Sequence, residues 1–285
     1  MNDSKASIGF VYNGQMPRAR DLVHSLIASL DIADIAWASP ADSVTERQEE
    51  LSQTSVLVIS GGDGTILRTV RVTAPYEVPI LSINLGKVGF MSELDVDDAE
   101  AGIACYVRGE AQGAWIDERM MVRVRVTLTS GAPVPYADAL NEVVLSRGQS
   151  ARLLNVEASV DQAELTVYRA DGVMVSTASG STGYAMAAGG PLVSPRLEDI
   201  VLLPVAPHMC LNRGLVLPGD TVVDLKVVNE ADTLLSVDGF PVSRLGPGDV
   251  VSIRRRPSRA RFVRLRPPHD FYASLTRRLG IVDRS

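Results

Sequence analysis

The chain has 285 residues, 28 Lys or Arg against 34 Asp or Glu, and a formal net charge of −6. That length permits one large domain or two ordinary ones, with a core that needs no staples. The mild acidity argues against a general attraction to nucleic acid or to acidic membrane surfaces.

The N-terminus, "MNDSKASIGF", lacks an apolar signal core. The stretch "SIGFVYN" reads as a strand. Between Arg18 and Leu30, the apolar residues Leu22, Val23, Leu26, Ile27 and Leu30 fall at helical spacing. "IAWAS" and "SVLVIS" follow as strands, Thr65 to Val72 as a helix, and "VPILSIN" as another strand. Continuous apolar strands alternating with helices predict a parallel sheet covered by helices.

The texture changes from about residue 114. "MVRVRVTLT" alternates strictly, with Val122, Val124, Val126 and Leu128 on one face and Arg123, Arg125, Thr127 and Thr129 on the other. Several further strand-like runs follow, and Asp238-Gly239 is a hairpin-turn signal. The expectation is a β-rich, sandwich-like second domain over 111–267. The first domain covers 1–110 and is rejoined by the chain end at about 268–285, where Phe271, Leu275 and Leu279 have helical spacing. "IVLLPVAPHMCL" is the most apolar run, but Pro204 and Pro207 break it, so no membrane span is expected. The basic run 252–267 fits a strand with a solvated face, with Arg261, Arg264 and Arg266 alternating against apolar neighbours. Cys105 and Cys210 lie far apart and read as free, buried thiols of a reducing compartment. The three histidines are scattered and suggest no metal motif. A soluble cytoplasmic protein is the expectation.

Four stretches carry chemistry. "GGDGT", residues 61–65, follows a strand and opens a helix. Gly61, Gly62 and Gly64 permit positive φ and close approach, and the N–H groups of a helix start suit a phosphate. Asp63 is out of place beside phosphate unless a metal or a reacting hydroxyl intervenes. The bland alternative is that Asp63 caps the helix at Thr65 and the glycines only turn the chain. No Gly-Lys-Ser/Thr follows, so the loop is not a Walker loop. "STASGSTGYAMAAGGP", residues 176–191, is rich in hydroxyls and small residues and suits ribose or phosphate. Asn141-Glu142 interrupts an apolar stretch, and Asp171-Gly172 precedes a strand; each has an ordinary turn or strand-edge reading as well.

Taken together, "GGDGT", "INLGKVGFMSE", "NEVVLSRG", "DGVMVSTASGSTGYAMAAGGP" and "LPVAPHMCLNRGLVLP" resemble, in order and over most of the chain, the NAD kinase family. That family phosphorylates the adenosine 2′-hydroxyl of NAD with ATP. "GGDGT" alone is shared with lipid kinases; the later blocks narrow the resemblance.

The resemblance implies a Rossmann-like α/β domain, a β-rich NAD-binding domain, and a dimer or tetramer with NAD reaching across a subunit interface. It makes Asp63 the group that accepts or orients the hydroxyl proton. Gly61, Gly62, Gly64 and Thr65 fall to the phosphates, with Gly64 also at the ribose, and Arg68 to the phosphates more weakly. Asn141 and Glu142 fall to the adenosine ribose, Arg152 to the subunit interface, and Arg169 and Asp171 to the nicotinamide side. Thr182, Gly183, Tyr184, Ala185, Met186 and Ala187 fall to the adenine. Mg²⁺ is expected to arrive with ATP rather than in a protein cage. Two positions depart from the family pattern. Gly183 stands where Ala is usual, and Phe240 where Gln often follows the "VDG" turn. A lipid or other small-molecule kinase, and a non-catalytic NAD(P) sensor, remain the alternatives.

Overall fold

The computed structural model describes residues 7–86, 89–149 and 152–278. In chain order, the strands are β1 (Ser7–Tyr12), β2 (Ala36–Pro40), β3 (Thr54–Ser60), β4 (Ile80–Asn84), β5 (Leu94–Asp95), β6 (Trp115–Arg119), β7 (Val122–Thr127), β8 (Ala137–Ala139) and β9 (Glu142–Arg147). Then come β10 (Leu154–Val160), β11 (Ala163–Ala170), β12 (Gly172–Thr177), β13 (Asp199–Val205), β14 (Leu215–Pro218), β15 (Val223–Val227), β16 (Thr233–Val237), β17 (Phe240–Leu245), β18 (Val250–Arg255) and β19 (Ala260–Arg264). The helices are α1 (Pro17–Ser29), α2 (Gln48–Ser52), α3 (Asp63–Thr73), α4 (Ala99–Val107), α5 (Tyr184–Ala187) and α6 (Asp270–Arg278).

The chain divides into two units. One runs to Glu118 and resumes at Ala260; the other is Arg119–Arg259. The first is built on a sheet of order β2-β1-β3-β4-β19-β6, with β5 alongside β4. Strands β2, β1, β3, β4 and β19 pair in parallel. Ile8, Phe10, Val56, Val58, Leu81, Ile83 and Val263 give one face of this sheet to Val23 and Leu26 of α1 and to Ala99 and Ile103 of α4. Burial on both sheet faces explains the unbroken apolar strands. Pro17 opens α1 at the position where its missing N–H leaves nothing unpaired.

The return of the chain to this sheet starts at β19, before residue 268. The expectation of a solvated face there needs correction, because Arg264 is only 8% exposed. Alternation with Phe262 and Val263 looks like a one-sided strand, yet Arg264 is buried against two carboxylates, as described below. Leu279, assigned to the last helix from its spacing, lies outside the described residues.

The second unit holds two sheets, β11-β10-β15-β18-β7-β8 and β14-β13-β12-β9-β16-β17. One core draws Val122, Val124 and Val126 from the first and Val143, Leu145, Val173 and Val175 from the second. That is a sandwich with a shared apolar interior. The far face of the second sheet, through Val144, Met174 and Val201, packs on Ala178, Ala185 and Val193. The segment carrying α5 therefore roofs this sheet. Cys105 and Cys210 are free, as expected, but only half-buried rather than buried. Among the described residues, no helix is long and apolar enough to cross a membrane.

Candidate functional site

One candidate site is the turn from β3 into α3. Gly62 is the N-cap, and Asp63 is already the first helical residue. The first intrahelical bonds run from the N–H groups of Thr65 and Ile66 to the Gly62 carbonyl. The N–H groups of Gly62, Asp63 and Gly64 thus lie ahead of the helical ladder, where an anion finds its donors. None of the three glycines uses the positive φ that its residue type permits. Their reason is space. A side chain on Gly61 would come within 2.8 Å of Thr65 Cβ, while a Cβ on Gly62 or Gly64 would meet nothing among the described residues within 4 Å, so that side of the backbone is open to a ligand.

Asp63 is not a helix cap. Its carboxylate turns away from the helix and accepts the N–H of Phe90 at 2.8 Å and of Met91 at 3.3 Å. Both oxygens are thereby fixed in direction. Arg68, one turn on, is exposed and forms an ion pair with Asp42 of the preceding 3₁₀ turn. At the end of β3 the buried Ser60 hydroxyl has no hydrogen-bond partner among the described residues; no sequence signal distinguished it from any strand serine.

A second candidate site lies in the sandwich. Strand alternation places Glu142 on the same face as Val144, beneath the α5 segment. Ser176 of β12 pairs with Glu142 across the sheet. Gly180 sits so near the Asn141 carbonyl that any side chain there would overlap it. A Cβ on Gly183 would stand 3.6 Å from Glu142 Oε2 and 3.8 Å from Asn141 Nδ2. The structure therefore brings together Asn141, Glu142 and the 176–191 loop, which are separate in sequence. Thr182 and Ala185 are buried, Met186 and Gly183 are half-buried, and Tyr184 and Ala187 are exposed.

Asn141 and Glu142 are 9% and 7% exposed, yet among the described residues Asn141 Oδ1 and Glu142 Oε2 have no hydrogen-bond partner. Burial pushes the Glu142 carboxyl up to about 7, and repulsion from Asp238 adds to the rise. Asp238 in turn holds the backbone of this pair. Its Oδ1 accepts the N–H of Asn141 at 2.7 Å and of Glu142 at 3.0 Å, and its Oδ2 accepts that of Leu140 at 2.8 Å. Asp238 and Gly239 both have positive φ, so the hairpin turn is as expected. The additional service of the Asp238 carboxylate was missed, because "VDG" reads as a turn and nothing more. Arg119 Nη1 braces the loop from below through the Ser179 hydroxyl at 3.3 Å.

Asp171 directly precedes β12, at the end of β9 and β12 away from Glu142, whereas Arg169 is on β11 of the other sheet. Asp171 forms a two-toothed pair with Arg147, at 2.9 and 3.2 Å. Arg147 is five residues along β9 from Glu142, about 16 Å at the usual strand rise. Arg169 and Arg152 are exposed. Other arginines of the basic run form ion pairs: Arg255 and Arg259 with Glu198, Arg256 with Asp138, and Arg261 with Glu118. Among the described residues, no three acidic, His or Cys side chains gather as a metal cluster.

Two family models match this chain: the ATP-NAD kinase N-terminal domain over residues 32–111 and the ATP-NAD kinase C-terminal domain over residues 140–265. The chain belongs to the NAD kinase family. An NAD kinase of Dehalococcoides mccartyi is 41% identical over 273 residues, covering 95% of each chain. One of Chloroflexus aurantiacus is 42% identical over 224 residues, covering 79% of this chain and 80% of its own. Among solved structures, yeast NADH kinase complexed with NADH matches with a TM-score of 0.87 at 24% identity, over 99% of this chain and 90% of that one. An NAD kinase from Archaeoglobus fulgidus in complex with ATP matches with a TM-score of 0.73 at 24% identity, over 97% and 100%. These two likenesses speak for the NAD kinase fold: an α/β sheet domain followed by β-rich sheets.

Proposed function

We propose that the chain is an ATP-dependent NAD kinase that transfers the γ-phosphoryl group of ATP to the adenosine 2′-hydroxyl of NAD, giving NADP and ADP. The observation that carries this reading is the pair of buried, unpartnered oxygens, Asn141 Oδ1 and Glu142 Oε2, beneath a loop of hydroxyls and small residues. Leaving such an atom unpaired costs roughly 1–3 kcal/mol. A ribose, with two adjacent hydroxyl donors, satisfies both oxygens. Family membership, on models that span most of the chain, supports the same substrate.

In this reading Asp63 takes up the proton of the attacking hydroxyl as the new O–P bond forms and the bond to the β-phosphate oxygen breaks. The N–H groups at the start of α3, with Gly61, Gly62, Gly64 and Thr65, hold the donor phosphates. ATP enters as its divalent-cation complex, Mg²⁺ in the first instance, whose charge offsets that of the phosphates. Tyr184 offers the adenine an aromatic face, and Arg169 and Asp171 serve the nicotinamide side. The active protein is a homo-oligomer to which Arg152 contributes at a subunit boundary. Exposed Leu165 and Val167 on the edge strand β11 support an oligomer. Two free thiols support a cytoplasmic setting.

The experiment is formation of NADP from NAD, ATP and Mg²⁺ by the purified chain, read with an NADP-specific dehydrogenase. NAD binding without NADP would instead mark a sensor, and phosphorylation of a lipid alcohol in place of NAD would mark the other kinase class.

A further inference from the structure

Asp63 owes its direction to a segment 27 residues later in the chain, and that segment is locked from behind. The N–H groups of Phe90 and Met91 point at the Asp63 carboxylate, at 2.8 and 3.3 Å. The carbonyl of Met91 points the other way and accepts two donors, the Ser82 hydroxyl at 3.0 Å and Arg264 Nη1 at 3.0 Å. Arg264 itself cannot swing. It is 8% exposed, its Nη1 also reaches Glu93 Oε2 at 3.1 Å, and its Nε reaches Asp117 Oδ2 at 3.1 Å. Glu93 is held in turn by the N–H groups of Leu265 and Arg266 at 2.8 and 2.9 Å. The residue before the two donors is Gly89. A methyl group there would overlap the Asp63 carboxylate, lying 2.7 Å from its Cγ. The backbone approaches the carboxylate this closely only because residue 89 has no side chain.

We propose that Gly89 and Arg264 are positioning residues for Asp63. Arg264 fixes the Met91 peptide so that its N–H, with that of Phe90, aims the carboxylate, and Gly89 leaves the carboxylate its place. Neither residue touches substrate. The inference rests on the reading of Asp63 as the group that takes the hydroxyl proton. A buried Arg between two carboxylates contributes little net stability compared with a well-packed apolar side chain; its value here is the direction it gives to one peptide group. A displacement of the acceptor by about 1 Å is enough to lower turnover on the order of 10²-fold.

The test is a double-mutant cycle in the full chain with Gly89→Ala, Asp63→Asn and the two combined, measuring kcat together with NAD and ATP dissociation constants by calorimetry. Gly89→Ala is expected to lower kcat about 10–100-fold, to leave both dissociation constants within about twofold, and to cost nothing further once Asp63 is Asn. A kcat within twofold of the unmodified protein overturns the inference. So do losses that multiply in the double variant, since Gly89 would then act by some other route. Near-normal kcat for Asp63→Asn alone brings down the Asp63 reading itself, a result separable from either of these. If Gly89→Ala lacks a cooperative melting transition, Arg264→Lys takes its place under the same criteria. It keeps the charge between Glu93 and Asp117 but lacks the fork that also reaches Met91.

Discussion

Asp238 Oδ1 accepts the backbone N–H of Glu142 at 3.0 Å, and the Asp238 N–H returns a bond to the Glu142 carbonyl at 2.9 Å. The two residues are 96 positions apart in sequence. A hairpin turn thereby clamps the start of β9 and sets where the Asn141 and Glu142 side chains emerge. Asp238→Asn keeps the shape but offers Leu140 an N–H where it needs an acceptor. The expected result is a KM for NAD raised about tenfold, from loss of hydrogen bonds to a charged acceptor worth roughly 1.5–3 kcal/mol, with the KM for ATP changed much less. Steady-state kinetics with each substrate varied in turn checks it.

Glu142→Ala removes a ligand contact outright. The KM for NAD is expected to rise by about tenfold or more. Some loss in kcat accompanies it, because the same contact orients the hydroxyl for attack. Asymmetry between the substrates is the signature. A loss for ATP equal to that for NAD would place Glu142 on the donor side.

The pH dependence of the ligand-free protein also follows from Glu142. Its carboxyl is raised in the fold from 4.5 to about 7. The unfolded chain therefore holds fewer protons than the folded one between those values. Stability from this group is fully present below about 4.5 and is lost as pH rises through about 7. The loss amounts to about 3 kcal/mol at most, at roughly 1.4 kcal/mol per pH unit. Glu142→Gln should remove it, so the variant should exceed the parent protein in denaturant midpoint at pH 8.5 and gain little at pH 5. Parallel curves at both pH values would contradict the account. Ribose hydroxyls donating to the carboxylate favour its charged form. NAD binding near pH 6.5 should then release protons, measurable by calorimetry in two buffers of different ionisation enthalpy.

Gly183 tests how tightly the roof fits. A Cβ there meets the Gly180 carbonyl at 3.3 Å and Glu142 Oε2 at 3.6 Å. Gly183→Ala therefore fits with a shift of a few tenths of an ångström. Its expected effect on the KM for NAD is within about threefold, since the small strain is offset by a lower unfolded-state entropy of roughly 0.4–1 kcal/mol. A tenfold change in either direction would mean that the open space itself contacts the ligand.

What the chain disclosed on reading alone was whatever is periodic or local. Val122, Val124 and Val126 alternate because one face of β7 meets the sandwich core, and that alternation is visible without coordinates. The glycine turn before α3 was legible for the same reason. Relationships between distant segments were not. Asp63 looked like a possible cap because capping is a local pattern, whereas its partners Phe90 and Met91 are 27 and 28 residues away. Arg264 looked solvated because its neighbours alternate, and nothing nearby in sequence announced Asp117 or Glu93 as its partners. Glu142 was singled out as a polar interruption, but its unpartnered oxygen depends on the roof that the 176–191 loop builds over it.

The central claim is that Asp63 takes the proton from the hydroxyl that attacks ATP. The most direct measurement compares NADP formation from NAD and MgATP by the parent protein and by Asp63→Asn, with NAD affinity determined separately for each. Robust turnover is expected for the parent, with a kcat lower by about 10²–10⁴-fold for the variant and an NAD dissociation constant changed by less than about threefold, since the contact acts mainly in the transition state. A variant that turns over at nearly the parent rate, or a parent protein that binds NAD and makes no NADP, contradicts it.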